Sequence, residues 1–257
     1  MHRAHPDEAL ELNSFGTGLG IAVIGASGGI GGALADEIER CAAVTKVFRL
    51  SRSRPRVEAV EGTWYHLDLE VEDSIADAAA QLKRTAGELH LVIVASGILH
   101  QGDDIQPEKT WRALSGPAME TAFRLNATGP ALVAKHFLPL LAKGRKSAFA
   151  ALSARVGSIE DNRLGGWYAY RASKAALNML IKTFSVELAR RNPEALCVGL
   201  HPGTVDTALS KPFQANVPEA KLFTPAFSAR RLLSVIDGLG PDHSGRIFAW
   251  DGSPIPF

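Results

Sequence analysis

The chain of 257 residues carries a formal net charge of +1, with 46% hydrophobic and 21% charged residues. That balance excludes a disordered chain, and the near-neutral charge argues against a nucleic-acid or membrane-surface protein. No apolar run reaches the ~18 residues that a bilayer crossing needs, so no membrane partner is expected.

"MHRAHPDEALELNSFGTG" (1–18) has charges throughout and no apolar segment, which reads as an N-terminal arm rather than a signal peptide. Strands are expected at 19–25, 44–50, 63–69, 89–96, 147–153, 195–202 and 245–250, and helices at 29–41, 72–86, 117–142, 168–191 and 225–238. The most apolar runs lack polar alternation, as strands covered on both faces do. Strand–helix–strand repetition implies right-handed crossovers. The expected fold is α/β: one Rossmann-like, doubly wound domain over 19–257, its sheet seven-stranded and mostly parallel with helices on both faces.

The first strand runs into Gly25, Ala26, Ser27, Gly28, Gly29, Ile30 and Gly31. Such a turn lets the backbone approach a pyrophosphate, and the free N–H groups of the following helix face the phosphates. The plain alternative is a tight structural turn. The second strand ends in "RLSRSRPR", where Ser51 and Arg52 stand with no acid near them in sequence. A carboxylate at that place would select the 2′-hydroxyl of NAD; a guanidinium suits a 2′-phosphate. NADP(H) is therefore preferred and NAD(H) is second, unless Arg52, Arg54 and Arg56 are only a solvated basic loop. Asp68, closing the third strand, is placed either to accept from an adenine amino group or to cap the next helix.

The two cysteines, Cys41 and Cys197, are far apart and the eight histidines are dispersed, which argues for a reducing, cytoplasmic setting and against a metal site. Tyr170 and Lys174 are four apart in the helix expected at 168–191 and so share a face. An ammonium beside a phenol favours the phenolate, which equips Tyr170 to exchange a proton with a carbonyl or alcohol oxygen. Tyr168 has Ala172 at the same offset and reads as packing or cleft wall.

With Gly25, Gly29 and Gly31 spaced Gly-x-x-x-Gly-x-Gly and Tyr170 and Lys174 spaced Tyr-x-x-x-Lys, the chain resembles the short-chain dehydrogenase/reductase family from Leu19 onward. "SARVGSIEDN", "GGWYAYRASKAALN" and "GRIFAWDGSP" resemble its branch of C-factor signalling proteins and sniffer-type carbonyl reductases. The resemblance implies interconversion of a small carbonyl compound and its alcohol, with Tyr170 as acid/base, Lys174 beside it, and Asn126 holding a water through its backbone. The bland reading of Asn126 is a local bond to neighbouring backbone. Cofactor contacts are implied at Leu69, Ser96, Gly97, Pro202, Gly203, Val205 and Thr207, and a homodimer or homotetramer is implied through the long helices. Two departures stand out. Val94-Ala95-Ser96-Gly97 replaces the family's Asn-Asn-Ala-Gly, and Ala154 occupies the place of its catalytic serine, leaving Ser153, or Ser158 further on, to polarise the carbonyl. The polar segment 204–225 reads as a substrate lid. Phe213, Phe223, Trp167 and Tyr168 are candidates for an aromatic wall. A dinucleotide-binding regulatory protein with little catalysis is the rival reading.

Overall fold

The computed structural model describes residues 10–54, 64–102 and 104–257. Arg56, the opening of the arm and the first residue of the third expected strand lie outside them.

Among the described residues ten strands form, in chain order β1 (Leu19–Ile24), β2 (Val44–Ser51), β3 (Trp64–His66), β4 (Leu91–Val94), β5 (Ser147–Leu152), β6 (Ala195–His201), β7 (Thr204–Val205), β8 (Leu222–Phe223), β9 (Ile247–Ala249) and β10 (Pro254–Ile255). Eight build one sheet in the order β10-β9-β6-β5-β4-β1-β2-β3, and β7 pairs with β8. Neighbours in the large sheet run parallel except β9 and β10. All seven expected strands are in it; the eighth, antiparallel β10, was not foreseen.

The six residues of β1 are all buried, and they divide by face. Ala22 and Ile24 join one apolar cluster, while Leu19, Ile21 and Val23 join the other. That division is what alternate side-chain directions produce in a strand covered on both sides. Helices α1 (Gly29–Glu39), α2 (Glu72–Ala86), α3 (Gly116–Phe123), α4 (Gly129–Phe137), α5 (Tyr168–Arg191) and α6 (Pro225–Gly238) supply the covering layers. Side chains of α1 and α6 fill one cluster; those of α2, α4 and α5 fill the other.

The helix expected at 117–142 is instead broken. A π turn spans Arg124–Thr128 between α3 and α4, and a 3₁₀ turn follows at Leu138–Leu140. The Gly129 N–H bonds the Arg124 carbonyl, and Pro130 lacks the N–H that an α-helix would aim at the Asn126 carbonyl. The described end of the arm is also more than a polar leader. Leu12 and Phe15 are buried with α6, and Ser14 donates through N and Oγ to Asp237.

Candidate active site

Strand order reverses between β1 and β4, and ligands of such sheets bind in the crevice this leaves at the carboxyl ends. A cleft of about 790 Å³ opens there. Gly25, Ser27, Ser51, Arg52, Asp68, Leu69, Ser96 and Gly97 all line it, so eight expected cofactor residues converge.

The glycine turn has the shape a pyrophosphate needs. Gly25 has φ +86°, and a Cβ at Gly31 would overlap the Gly25 carbonyl. Gly28 is the N-cap of α1 and no side chain caps the first turn. A Cβ at Gly29 would come within 2.8 Å of Thr207 Cγ2, so Thr207 lies over the turn that holds Gly28, Ile30 and Gly31. Pro202 and Val205 flank Gly203, which has φ +79° and packs against Phe223 and Trp250. Residues present fit a dinucleotide: a tight backbone cradle, an uncapped helix start and a groove alongside.

At the far end of the cleft the chain differs from expectation. Ser51 is buried, donates to the Ser53 carbonyl at 2.7 Å and accepts from Trp64 Nε1 at 3.0 Å. No acid neighbours Arg52 in sequence, yet Glu70 reaches it at 3.8 Å and reaches Arg124 at 3.6 Å. Two guanidinium groups therefore meet one carboxylate. Asp68 accepts the Glu70 N–H at 3.0 Å, whereas the N-cap of α2 is Val71, so capping α2 is not the role of Asp68.

Beside the cleft lies the Tyr170–Lys174 pair on the first turns of α5. Tyr170 is half-buried and lines a small cavity whose walls Ile98, Ile105 and Ala118 also face the large cleft. Burial pushes its phenol up to about 12. Burial also holds the Lys174 ammonium down at about 8. Lys174 Nζ donates to the Leu152 carbonyl at 2.7 Å and lies 5.9 Å from the centre of the Tyr170 ring. The expected lowering of the phenol by its neighbour is not seen: burial alone sets both shifts, and it disfavours the charged form of each group. At neutral pH the phenol keeps its proton.

Asn126, fully buried in the π turn, pairs with the backbone of Ile98: Oδ1 accepts its N–H and Nδ2 donates to its carbonyl, both at 2.8 Å. Nδ2 also donates to Ser173 Oγ at 3.0 Å. A Cβ on Gly97 would stand 3.0 Å from Asn126 Oδ1 and 3.3 Å from Lys174 Nζ, so glycine there lets the β4 loop close onto both. The side chain does bond backbone, but that of a segment 28 residues away rather than the neighbouring backbone of the bland reading.

Ser153 points elsewhere. Its hydroxyl donates to Asn178 Oδ1 at 2.6 Å, beneath α5, because odd-numbered residues at the end of β5 face that helix. The expectation that Ser153 polarises a substrate carbonyl is corrected: its proton is already engaged. Ser158 is buried and accepts the Asp161 N–H at 3.1 Å, also outside the site.

Of the four aromatic candidates, the Trp167 ring lies 6.2 Å from Tyr170 and 5.3 Å from Phe213, and His100 meets Phe213 at 5.7 Å. Phe223 meets Trp250 edge-on and Phe227 at a tilt instead, and Tyr168 lines a groove on the outer side of α5. Sequence reasoning missed Glu70, Arg124, His100 and Glu108, none of which stands in a periodic pattern or motif.

The chain matches the model of the short chain dehydrogenase family over residues 20–218. It is 43% identical to C-signal of Myxococcus xanthus over 140 residues, which is 54% of this chain and 78% of that one. Among solved structures, the carbonyl reductase Sniffer of D. melanogaster superposes with a TM-score of 0.78 at 25% identity, covering 93% of this chain and all 100% of that one. An NADPH-bound carbonyl reductase from chicken fatty liver gives 0.79 at 24%, covering 95% and 97%. No helix among the described residues is long and apolar enough to cross a membrane. A glycine cradle at the sheet's switch point, with a phenol and a buried amine one helical turn apart beside it, agrees with that match: the chain belongs to the short-chain dehydrogenase family and is an oxidoreductase built for a nicotinamide dinucleotide and a small-molecule substrate.

Proposed function

We propose that this oxidoreductase is an NADP(H)-dependent carbonyl reductase with Tyr170 as its proton donor. A bound reduced nicotinamide supplies hydride to the carbonyl carbon. The chain's own task is the proton that the resulting oxygen takes up, and Tyr170 carries it. The phenol, ordinary near 10 and pushed further up by burial, carries its proton at neutral pH, the form a donor needs. Lys174, held by the Leu152 carbonyl, stands by as the nearby amine, and Asn126 fixes the β4 loop against both. Arg52, with Arg124 across Glu70, is the anchor for a 2′-phosphate, and Ser51 contributes shape rather than a free hydroxyl. The segment 204–225 serves as the lid, bringing Phe213 to Trp167.

The observation that carries this reading is the Tyr170–Lys174 pair beside a dinucleotide-shaped cleft; a module that only binds has no use for it. The resemblance to carbonyl reductases supports the substrate class. Homo-oligomers through α4 and α5, and a cytoplasmic setting, complete the proposal. NADPH consumption followed across aldehydes, ketones and quinones tests it: turnover of at least one class is expected. Tight NADPH binding with silence across the panel would favour the rival, a regulatory dinucleotide-binding protein, which Ala154 and the likeness to C-signal support.

A further inference from the structure

Trp167 is the one residue other than glycine with a positive φ among the described residues, at φ 51° and ψ 44°. Gly165 and Gly166 before it are left-handed as well. A large side chain in that region is strained, and such a conformation persists only where its surroundings impose it. The imposing group is Glu108, in the loop between β4 and α3. Its carbonyl accepts the Trp167 N–H at 2.6 Å, and both of its carboxylate oxygens lie 3.3 Å from the Ala169 nitrogen.

Glu108 is 6% exposed, an unusual burial for a carboxylate. The start of α5 explains it. Trp167 occupies the N-cap position, and an indole cannot accept the N–H groups that a serine or aspartate would take there. Glu108 supplies the missing acceptor from 61 residues away, with its negative charge at the positive end of the helix dipole. The cap position is thereby freed for an aromatic ring. That ring lies 6.2 Å from Tyr170 and 5.3 Å from Phe213, and Tyr170 belongs to the first turn of the same helix. The β4 loop, the helix start, the proton donor and the lid's aromatic ring are tied through one buried residue, its carbonyl holding Trp167 and its carboxylate Ala169.

We infer that Glu108 is a positioning residue that holds Trp167 as a specificity wall beside Tyr170, selecting carbonyl substrates whose substituent is a planar aromatic ring. The inference rests on the carbonyl-reductase reading above. The indole is the aromatic ring beside Tyr170, and where the substituent of a carbonyl bound at that phenol meets it, the indole prefers another π-system in stacked or edge contact to a saturated ring of equal size.

Benzaldehyde and cyclohexanecarbaldehyde differ in little else, so the ratio of their kcat/KM values reads the wall directly. The wild type is expected to favour benzaldehyde. Trp167→Gly suits the left-handed backbone, so it is not expected to unfold the chain, and it should lower the ratio about fivefold or more. Glu108→Ala should raise KM for benzaldehyde several-fold and reduce the ratio, and Glu108→Gln should recover most of it because the amide oxygen still accepts the Ala169 N–H. A merely structural Glu108 would lower the active fraction and leave KM and the ratio alone. Turnover by Trp167→Gly with the ratio unchanged overturns this inference and leaves the reductase reading standing. A wild type inactive on both aldehydes and on the wider carbonyl panel overturns the two together.

Discussion

Ser153 gives its hydroxyl proton to Asn178 across 2.6 Å, with both side chains buried. The pairing removes the nearest hydroxyl from the substrate side and leaves buried Ala154 at the place of the family's serine. Ser153→Ala is therefore expected to act on stability, lowering it by about 1–2 kcal/mol through the orphaned Asn178 oxygen, with kcat changed less than about threefold. Ala154→Ser, which supplies a donor for the substrate oxygen, should raise kcat/KM on a good aldehyde by about tenfold. Denaturant melts and steady-state kinetics separate the two effects.

Removing the phenol hydroxyl is the sharpest test of the proposed proton donor. Tyr170→Phe should lower kcat by roughly 10²–10⁴-fold, the usual worth of a positioned acid. NADPH titrated by fluorescence should bind it with little change. Tyr168→Phe, on the outer groove, should keep kcat within about twofold, by the usual mildness of surface changes.

Cofactor choice follows from the guanidinium end of the cleft. Arg52→Ala should weaken NADPH binding by about 10–100-fold and NADH binding by less than twofold, as expected for loss of a phosphate contact alone. Glu70 reaches both Arg52 and Arg124 and so competes with a 2′-phosphate for them. Glu70→Gln should tighten NADPH binding, most visibly at low salt. Isothermal titration with both cofactors measures each shift.

His201 on β6 carries the clearest pH signature. Burial holds its imidazole down at about 4, with the charge of Arg155 adding to the effect, and Nδ1 has no partner among the described residues. As pH falls, the unfolded chain, ordinary near 6.5, takes up this proton before the folded one does. Stability from this group is therefore full above about 6.5 and is lost by about 4. His201→Gln should flatten the fall of unfolding free energy across that window by roughly 3 kcal/mol. Urea midpoints at a series of pH values give the slope directly.

Covered strands announce themselves because both faces must be apolar; hence β1 and the parallel strands beside it were legible in the sequence. Tyr170 and Lys174 were legible because four residues along a helix is a fixed distance. The contacts that shape the site were not. Glu108 meets Ala169 across 61 residues, Asn126 meets Ile98 across 28, and Glu70 reaches Arg52 from the loop after the neighbouring strand. No local period encodes such meetings; they exist only once the sheet sets its loops side by side. The break in the long helix was half legible, since Pro130 and Pro139 mark it, but nothing local says that Asn126 would turn inward there.

The two margins of the sheet limit how copies of this chain can meet. One ends in three-residue β3, the other in β10, two residues long, antiparallel and opened by a proline without an N–H to offer. Among the described residues neither rim offers a long ladder of open bonds, which makes joining sheets end to end a poor route to a larger particle. A pair of copies of the kind proposed above would then meet through side chains on the flanking layers, away from the sheet's rims.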